Sequence, residues 1–202
     1  MKAIVIGTGT VGTAVRSALE ENGHEVVSVG RRSGEYQADI SDLDSLKTLF
    51  RQIGEFDAVA CAAGDVFPAS LQLATDEQWA GSIEAKGMGQ INLVRAAMPF
   101  IGDGGSFTLI SGVLTDEYKV GGVIGTVVNH IVEGFTRAAA VELPRGIRIN
   151  CISPTVLAES VAFQQYFPGS IPVSAWEVGQ AYLRAMSWSF TGRILKLHKT
   201  ES

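Results

Sequence analysis

The sequence predicts an α/β protein built on a doubly wound parallel sheet with helices on both faces. Strand-like and helix-like patterns alternate from the first of the 202 residues to nearly the last, and each parallel crossover needs a helix of its own. That length suits one core, since cores saturate near roughly 250–300 residues, so a single domain over 1–202 is expected. Hydrophobic residues make up 46% of the chain and charged ones 18%. A charge content below the roughly 25% of ordinary soluble domains excludes disorder and implies much buried surface.

The elements follow in order. Residues 3–6 are an apolar run ended by Gly7, and residues 10–21 carry Val11, Ala14, Val15, Ala18 and Leu19 at helical spacing before Asn22-Gly23 stops the helix. A second strand spans 25–29, and Gly30-Arg31-Arg32-Ser33-Gly34 is a turn with two adjacent cations. A weaker strand is expected at 36–39. Ser41 reads as the cap of the next helix, with Asp42 and Asp44 answering its dipole and Gly54 ending it. Residues 57–61 form a clear strand. Thr75-Asp76-Glu77-Gln78 is a capping box that opens a long helix toward Met98, closed by Pro99. A strand at 107–110, a helix at 123–143 and an alternating strand at 147–152 follow. A second capping box at Ser174 to Glu177 introduces a helix to about Trp188, and 194–197 reads as the last strand.

Composition removes several classes of function. A net charge of -5 and a pI near 5.2 give no basic footprint for nucleic acid or an anionic membrane, so neither partner is expected. No stretch reaches the roughly 18 apolar residues of a membrane span, and the opening run is too short for a signal sequence, so a cytoplasmic location is expected. Cys61 and Cys151 lie in apolar strands without CxxC spacing, and His24, His130 and His198 are scattered, so no metal site is expected.

Gly7-Thr8-Gly9-Thr10-Val11-Gly12 fits GxGxxG between a strand and a helix, the setting of a Rossmann-like dinucleotide site. Gly7 permits the tight turn, Gly9 lets backbone approach a pyrophosphate, and Gly12 permits close helix packing, while the helix amino end offers free amides to the anion. The plain alternative is a glycine-rich turn without a ligand. A fold that prefers NAD usually has an acid at the end of its second strand. Here Arg31, Arg32 and Ser33 stand instead, and guanidinium donors match a 2′-phosphate, so NADP(H) is expected over NAD(H). A solvated basic turn is the alternative.

With these residues in place the chain resembles the short-chain dehydrogenase/reductase superfamily, specifically its small divergent members, over nearly its whole length. Asp39-Ile40 matches the family's acidic-apolar pair near the adenine, and Ala62-Ala63-Gly64 matches the turn beside the cofactor. Gly104-Gly105-Ser106 precedes the strand that bears the family's serine. Residues 147–150 through Ser153-Pro154-Thr155 and Val156 match the strand and turn beside nicotinamide, with threonine replacing glycine. The resemblance implies an oxidoreductase working as a homodimer or homotetramer, whose long helices at 76–98 and 123–143 pair across a two-fold axis.

The departures fall on the chemistry. Alignment along residues 132–140 puts Gly125 where the family has its catalytic tyrosine and Asn129 where it has its lysine. Ser111 sits one place before the serine slot, which Gly112 occupies, and Lys86 replaces the asparagine of the preceding helix. The opening loop is also one residue shorter than the family's TGxxxGxG. Carbonyl reduction needs a hydride and a proton, and neither glycine nor asparagine supplies the proton. Asn129 could still bond the nicotinamide ribose.

Three stand-ins are candidates. Tyr118, seven residues before Gly125, could reach the cleft from a lid; Lys86 could extend a cation toward the cofactor; Ser111 could donate to a carbonyl. Their plain alternatives are a loop tyrosine, a snorkelling lysine and a serine satisfying local backbone. Aromatic residues Phe163, Tyr166 and Phe167 belong to a lid or to the core. Two readings stay open: an NADP(H)-dependent oxidoreductase acting on a small carbonyl, enone or quinone through a rearranged site, and a catalytically silent NADP(H)-binding regulatory or structural protein.

Overall fold

The computed structural model describes residues 1–198; positions 199–202 of the expected domain lie outside the described residues. Seven parallel strands form one sheet: β1 (Lys2–Ile6), β2 (Glu25–Gly30), β3 (Tyr36–Gln37), β4 (Phe56–Cys61), β5 (Ile101–Ile110), β6 (Arg148–Pro154) and β7 (Ile194–Leu197). Their order is β3-β2-β1-β4-β5-β6-β7, so the chain winds outward one way from β1 and then the other way from β4. The reversal between β1 and β4 opens a crevice beyond the carboxyl ends of the strands, where ligands of such sheets bind.

Strand alternation sorts the core into two layers. Ile4, Ile6, Val59, Phe107, Leu109 and Ile149 face α2 (Leu43–Ile53), α4 (Gly89–Ala97) and α5 (Val123–Glu142). Ala3, Val5, Ala58, Ala60 and Ile152 face α1 (Thr10–Glu21) and α7 (Ala175–Ser187). Both faces are covered, as parallel strands require. Free Cys61 and Cys151 are buried in the first layer. Tyr182 of α7, fully buried, donates its hydroxyl to the Cys61 carbonyl and so pins the end of β4.

The expected elements are present with four corrections. Asp42, not Ser41, caps α2: its carboxylate accepts from the amides of Asp44 and Ser45, while Ser41 donates to Asp39. A carboxylate is the stronger acceptor toward the positive helix end, so the cap moves one residue on. The expected strand at 36–39 is confined to two residues. The helix opened by the Thr75 capping box is not uniform: α3 (Asp76–Ser82) passes through a π-helical segment, Ile83–Met88, into α4. Propensity carries no signal for such a widening. Finally, β5 begins at Ile101 rather than 107, because a register shift against β4 takes up Gly102 to Gly105. Among the described residues no helix is long and apolar enough to cross a membrane.

Candidate active site

The first turn is built by close backbone approaches. A methyl at Gly12 would lie 1.9 Å from the Gly7 carbonyl oxygen, and one at Gly7 would lie 2.6 Å from that of Ala62. The same methyl at Gly9 would meet nothing within 4 Å. Gly12→Ala is therefore expected to cost about 3 kcal/mol, the upper end of ordinary overpacking, in a denaturant melt. Gly9→Ala should leave stability within about 0.5 kcal/mol, as at an open surface position, yet weaken nucleotide binding by filling the space beside the free amides. Equal stability losses in the two variants would contradict this division.

A cavity of about 390 Å³ opens over this turn. It is lined by Gly7, Thr8 and Gly9, by Arg31, Asp39 and Ile40, by Ala62 to Asp65, and by Lys86 and Ile110. Ten of the residues singled out from sequence thus share one cleft. Thr10, Val11 and Gly12 belong to the first turn of α1 behind it. The Asp39 carboxylate is held below its usual range by the hydroxyl and amide of Ser41, which keeps an ionised acceptor among the residues that line the cavity.

The two arginines separate. Arg31 lines the cavity and pairs with Asp65 across its mouth, Nη1 to Oδ2 at 3.1 Å, whereas Arg32 is exposed and lies outside the lining. Ser33 hydrogen-bonds the Thr8 hydroxyl at 2.7 Å, and both border a second cavity of about 260 Å³ with Arg16.

Lys86 is carried by the π-helical segment. Its stem lies against Gly64, where a methyl would come 2.8 Å from Lys86 Cγ, and where φ is +136°. A side chain at 64 would clash with the lysine and adopt strained backbone. The amine donates to the Ser111 carbonyl at 3.1 Å. Burial pushes its pKa down to about 8, and the neighbouring Cys61 and Cys151 thiols, themselves pushed up to about 12 by burial, offset this only in part.

Ser111 is engaged elsewhere. Only 4% exposed, it donates its hydroxyl proton to Glu133 Oε1 at 2.9 Å and is absent from the cavity lining. A hydroxyl has one proton, so this serine has none left for a substrate carbonyl. Glu133, 3% exposed, also accepts from Thr115 and pairs with Arg137 through its other oxygen. Sequence reading missed this carboxylate, because an acid on a helix reads as solvated until its partners from β5 and the loop are placed beside it.

Tyr118 does not reach the cleft. It is 73% exposed, outside any helix, and its hydroxyl donates to the Thr115 carbonyl. With Tyr166 and Phe167 it lines a separate cavity of about 450 Å³, where Lys119 stacks over Phe167. Phe163 and Tyr166 are exposed, so these two aromatics are not core. His130, also exposed, contacts the Thr126 carbonyl of its own helix.

At the place of the family's phenol, Gly125 packs beneath Leu114. A methyl on Gly125 would lie 3.0 Å from Leu114 Cδ1 and 3.8 Å from Val66 Cγ1. Asn129, 4% exposed, donates to the Gly112 carbonyl and leaves its buried Oδ1 without a partner among the described residues. Pro154, Thr155 and Val156 close the end of β6, outside the cavity lining. Among the described residues no group of three or more His, Cys, Asp or Glu could hold a metal ion.

The chain is similar to several known proteins. A family model described as enoyl-(acyl carrier protein) reductase matches residues 6–172. A crystal structure of a Listeria innocua protein is 39% identical, with 97% of this chain and 98% of that one covered and a TM-score of 0.94. A small-chain dehydrogenase solved in complex with NADPH is 25% identical over 98% of this chain and 96% of its own, with a TM-score of 0.88. An uncharacterized oxidoreductase of Methylorubrum extorquens is 26% identical over 176 residues, 75% of this chain and 71% of that protein.

Proposed function

This chain belongs to the short-chain dehydrogenase/reductase family, and from that premise we propose that it is an NADP(H)-dependent oxidoreductase that reduces a small carbonyl compound, enone or quinone, with Lys86 at the substrate's oxygen-bearing carbon. The supporting observation is one cavity lined by the glycine turn, Arg31 and Lys86 together. The family uses nicotinamide cofactors, and the residues present fit one: Gly9 leaves open space at the helix amino end, and buried Asn129 Oδ1 lacks a donor. The preference for the phosphorylated form rests on Arg31 and on the lack of an acid at the end of β2. That a relative was solved with NADPH supports the same choice.

When bound, the reduced coenzyme supplies a hydride. The chain's own residues do the rest. The backbone of residues 7–9 receives the pyrophosphate, Asp39 and Ile40 flank the adenine, and Arg31, with Arg32 and Ser33 beside it, meets the 2′-phosphate. Ser111 is a positioning residue: Glu133 fixes its hydroxyl, and its carbonyl fixes Lys86 Nζ. One hydrogen bond to protein leaves the Lys86 amine with donors to spare for the substrate oxygen.

A second reading, a silent NADP(H)-binding protein, is favoured by Gly125 and Asn129 standing where the family has its phenol and its lysine. NADPH oxidation against a panel of aldehydes, ketones, enones and quinones separates the two. Turnover above background with any member is expected, and it should be unchanged in Tyr118→Phe because that hydroxyl bonds its own loop. No turnover across the panel, with NADPH bound, would favour the silent reading. The assembly expected is a homodimer or homotetramer, which light scattering would test.

A further inference from the structure

We propose that Lys86 Nζ is a nucleophile, and that the substrate is an α,β-unsaturated aldehyde or ketone reduced while joined to Lys86 as an iminium. This deepens the reading above and rests on Lys86 meeting the carbonyl. The geometry favours attack over simple proton donation in three ways. First, the amine has no counter-ion: among the described residues its acceptor is a backbone carbonyl, and no carboxylate pairs with it. The titratable groups beside it are the Cys61 thiol from β4 and the Cys151 thiol from β6; Glu133 of α5 bonds the Ser111 hydroxyl, and its oxygens are taken by Ser111, Thr115 and Arg137. Second, Gly125 stands where the family has its phenol, so that position offers no acid to protonate an alkoxide. An iminium carries its own positive charge and accepts a hydride without any acid. Third, Gly64 packs against the Lys86 stem, and Lys86 is among the residues that line the nucleotide cavity.

The chemistry balances. The Nζ lone pair forms a bond to the carbonyl carbon, and the oxygen leaves as water after taking one proton from nitrogen and one from solvent. The β-carbon accepts the hydride that the reduced nicotinamide supplies, the C=C pair shifts toward the former carbonyl carbon, and the C=N pair moves to nitrogen, giving a neutral enamine. The substrate gains two electrons and the coenzyme loses two. A solvent proton at the α-carbon restores the iminium, and water breaks the C–N bond to release the saturated carbonyl compound and Lys86. A saturated aldehyde would instead accept hydride at the iminium carbon and leave a stable secondary amine. A thioester is unsuitable, because the same attack would expel the thiol and leave an amide.

With a pKa of about 8, Lys86 has a neutral fraction at pH 7.5 on the order of 10²-fold above that of an ordinary lysine. The test treats the full chain, without coenzyme, with crotonaldehyde and cyanoborohydride at that pH, and maps adducts by peptide mass. Lys86 is expected to be trapped at least about tenfold faster than exposed Lys47 and partly buried Lys119, its lower basicity offsetting part of the population gain. With NADPH, kcat/KM for the enal should rise as pH passes through about 8, and Lys86→Arg, which keeps the charge but cannot condense, should lose turnover. Trapping no faster than at surface lysines, a falling pH limb, or full turnover in Lys86→Arg would overturn the covalent step while leaving Lys86 at the carbonyl. Full turnover in Lys86→Met would overturn the underlying assignment as well.

Discussion

Lys86→Met is expected to lower turnover by about 10²- to 10⁴-fold, the contribution of a well-placed group that manages charge or protons at the reacting carbonyl. The loss should persist at saturating NADPH, so weaker coenzyme binding will not account for it. The same variant should be more stable than the wild type at pH 7, which excludes a folding defect. The sign follows from linkage: Lys86 has a folded pKa near 8, below that of an unfolded lysine. The unfolded chain therefore holds the extra proton between about pH 8 and 10.4, and native stability rises across that window. Below about pH 8 the fold carries the full cost of a buried ammonium, and methionine removes that cost. Thermal melts at pH 7 and pH 11 check this, with the stability difference expected to shrink at the higher pH. An active Lys86→Met variant would remove Lys86 from the reacting carbonyl and leave Arg31, Asp39 and Asp65 as the ionisable groups among the residues that line the cleft.

Arg31→Ala carries the second large effect. A charge-assisted bond to the 2′-phosphate contributes about 1.5–3 kcal/mol, so NADPH affinity should fall roughly 10- to 100-fold while NADH affinity stays nearly constant. Arg32→Ala should cost less, because Arg32 is outside the cavity wall. The ion pair between Arg31 and Asp65 sharpens the expectation. Both side chains are more than half exposed, so the pair itself contributes about 0–1 kcal/mol. A phosphate must compete with Asp65 for the same guanidinium. Asp65→Asn should therefore tighten NADPH by a few-fold at most, with no such gain for NADH. Equal changes for both coenzymes in Arg31→Ala would contradict phosphate recognition at this residue.

The fold was legible because its signals are local and repeated. Alternating apolar runs, two capping boxes at Thr75 and Ser174, and glycines at turns each reflect a backbone requirement that neighbours in sequence impose. What escaped depended on distant partners. The π-helical segment that carries Lys86 has no propensity signature. The shift of the α2 cap from Ser41 to Asp42 turned on Asp39 capturing the serine hydroxyl. Half of the site was equally readable, since the glycine turn, Arg31, Asp39 and Ala62 to Gly64 come from loops that follow adjacent strands, and topology alone gathers them. The catalytic half was not. The role of Ser111 depends on Glu133, 22 residues away on another element, and Tyr118 failed to arrive because its segment turns where two helical turns would have been needed.

Titration calorimetry with the two pyridine coenzymes tests the central claim most directly. The cavity between the first glycine turn and Arg31 requires a saturable heat with NADPH and a clearly weaker one with NADH. No heat with either, or tighter binding of NADH, would contradict it.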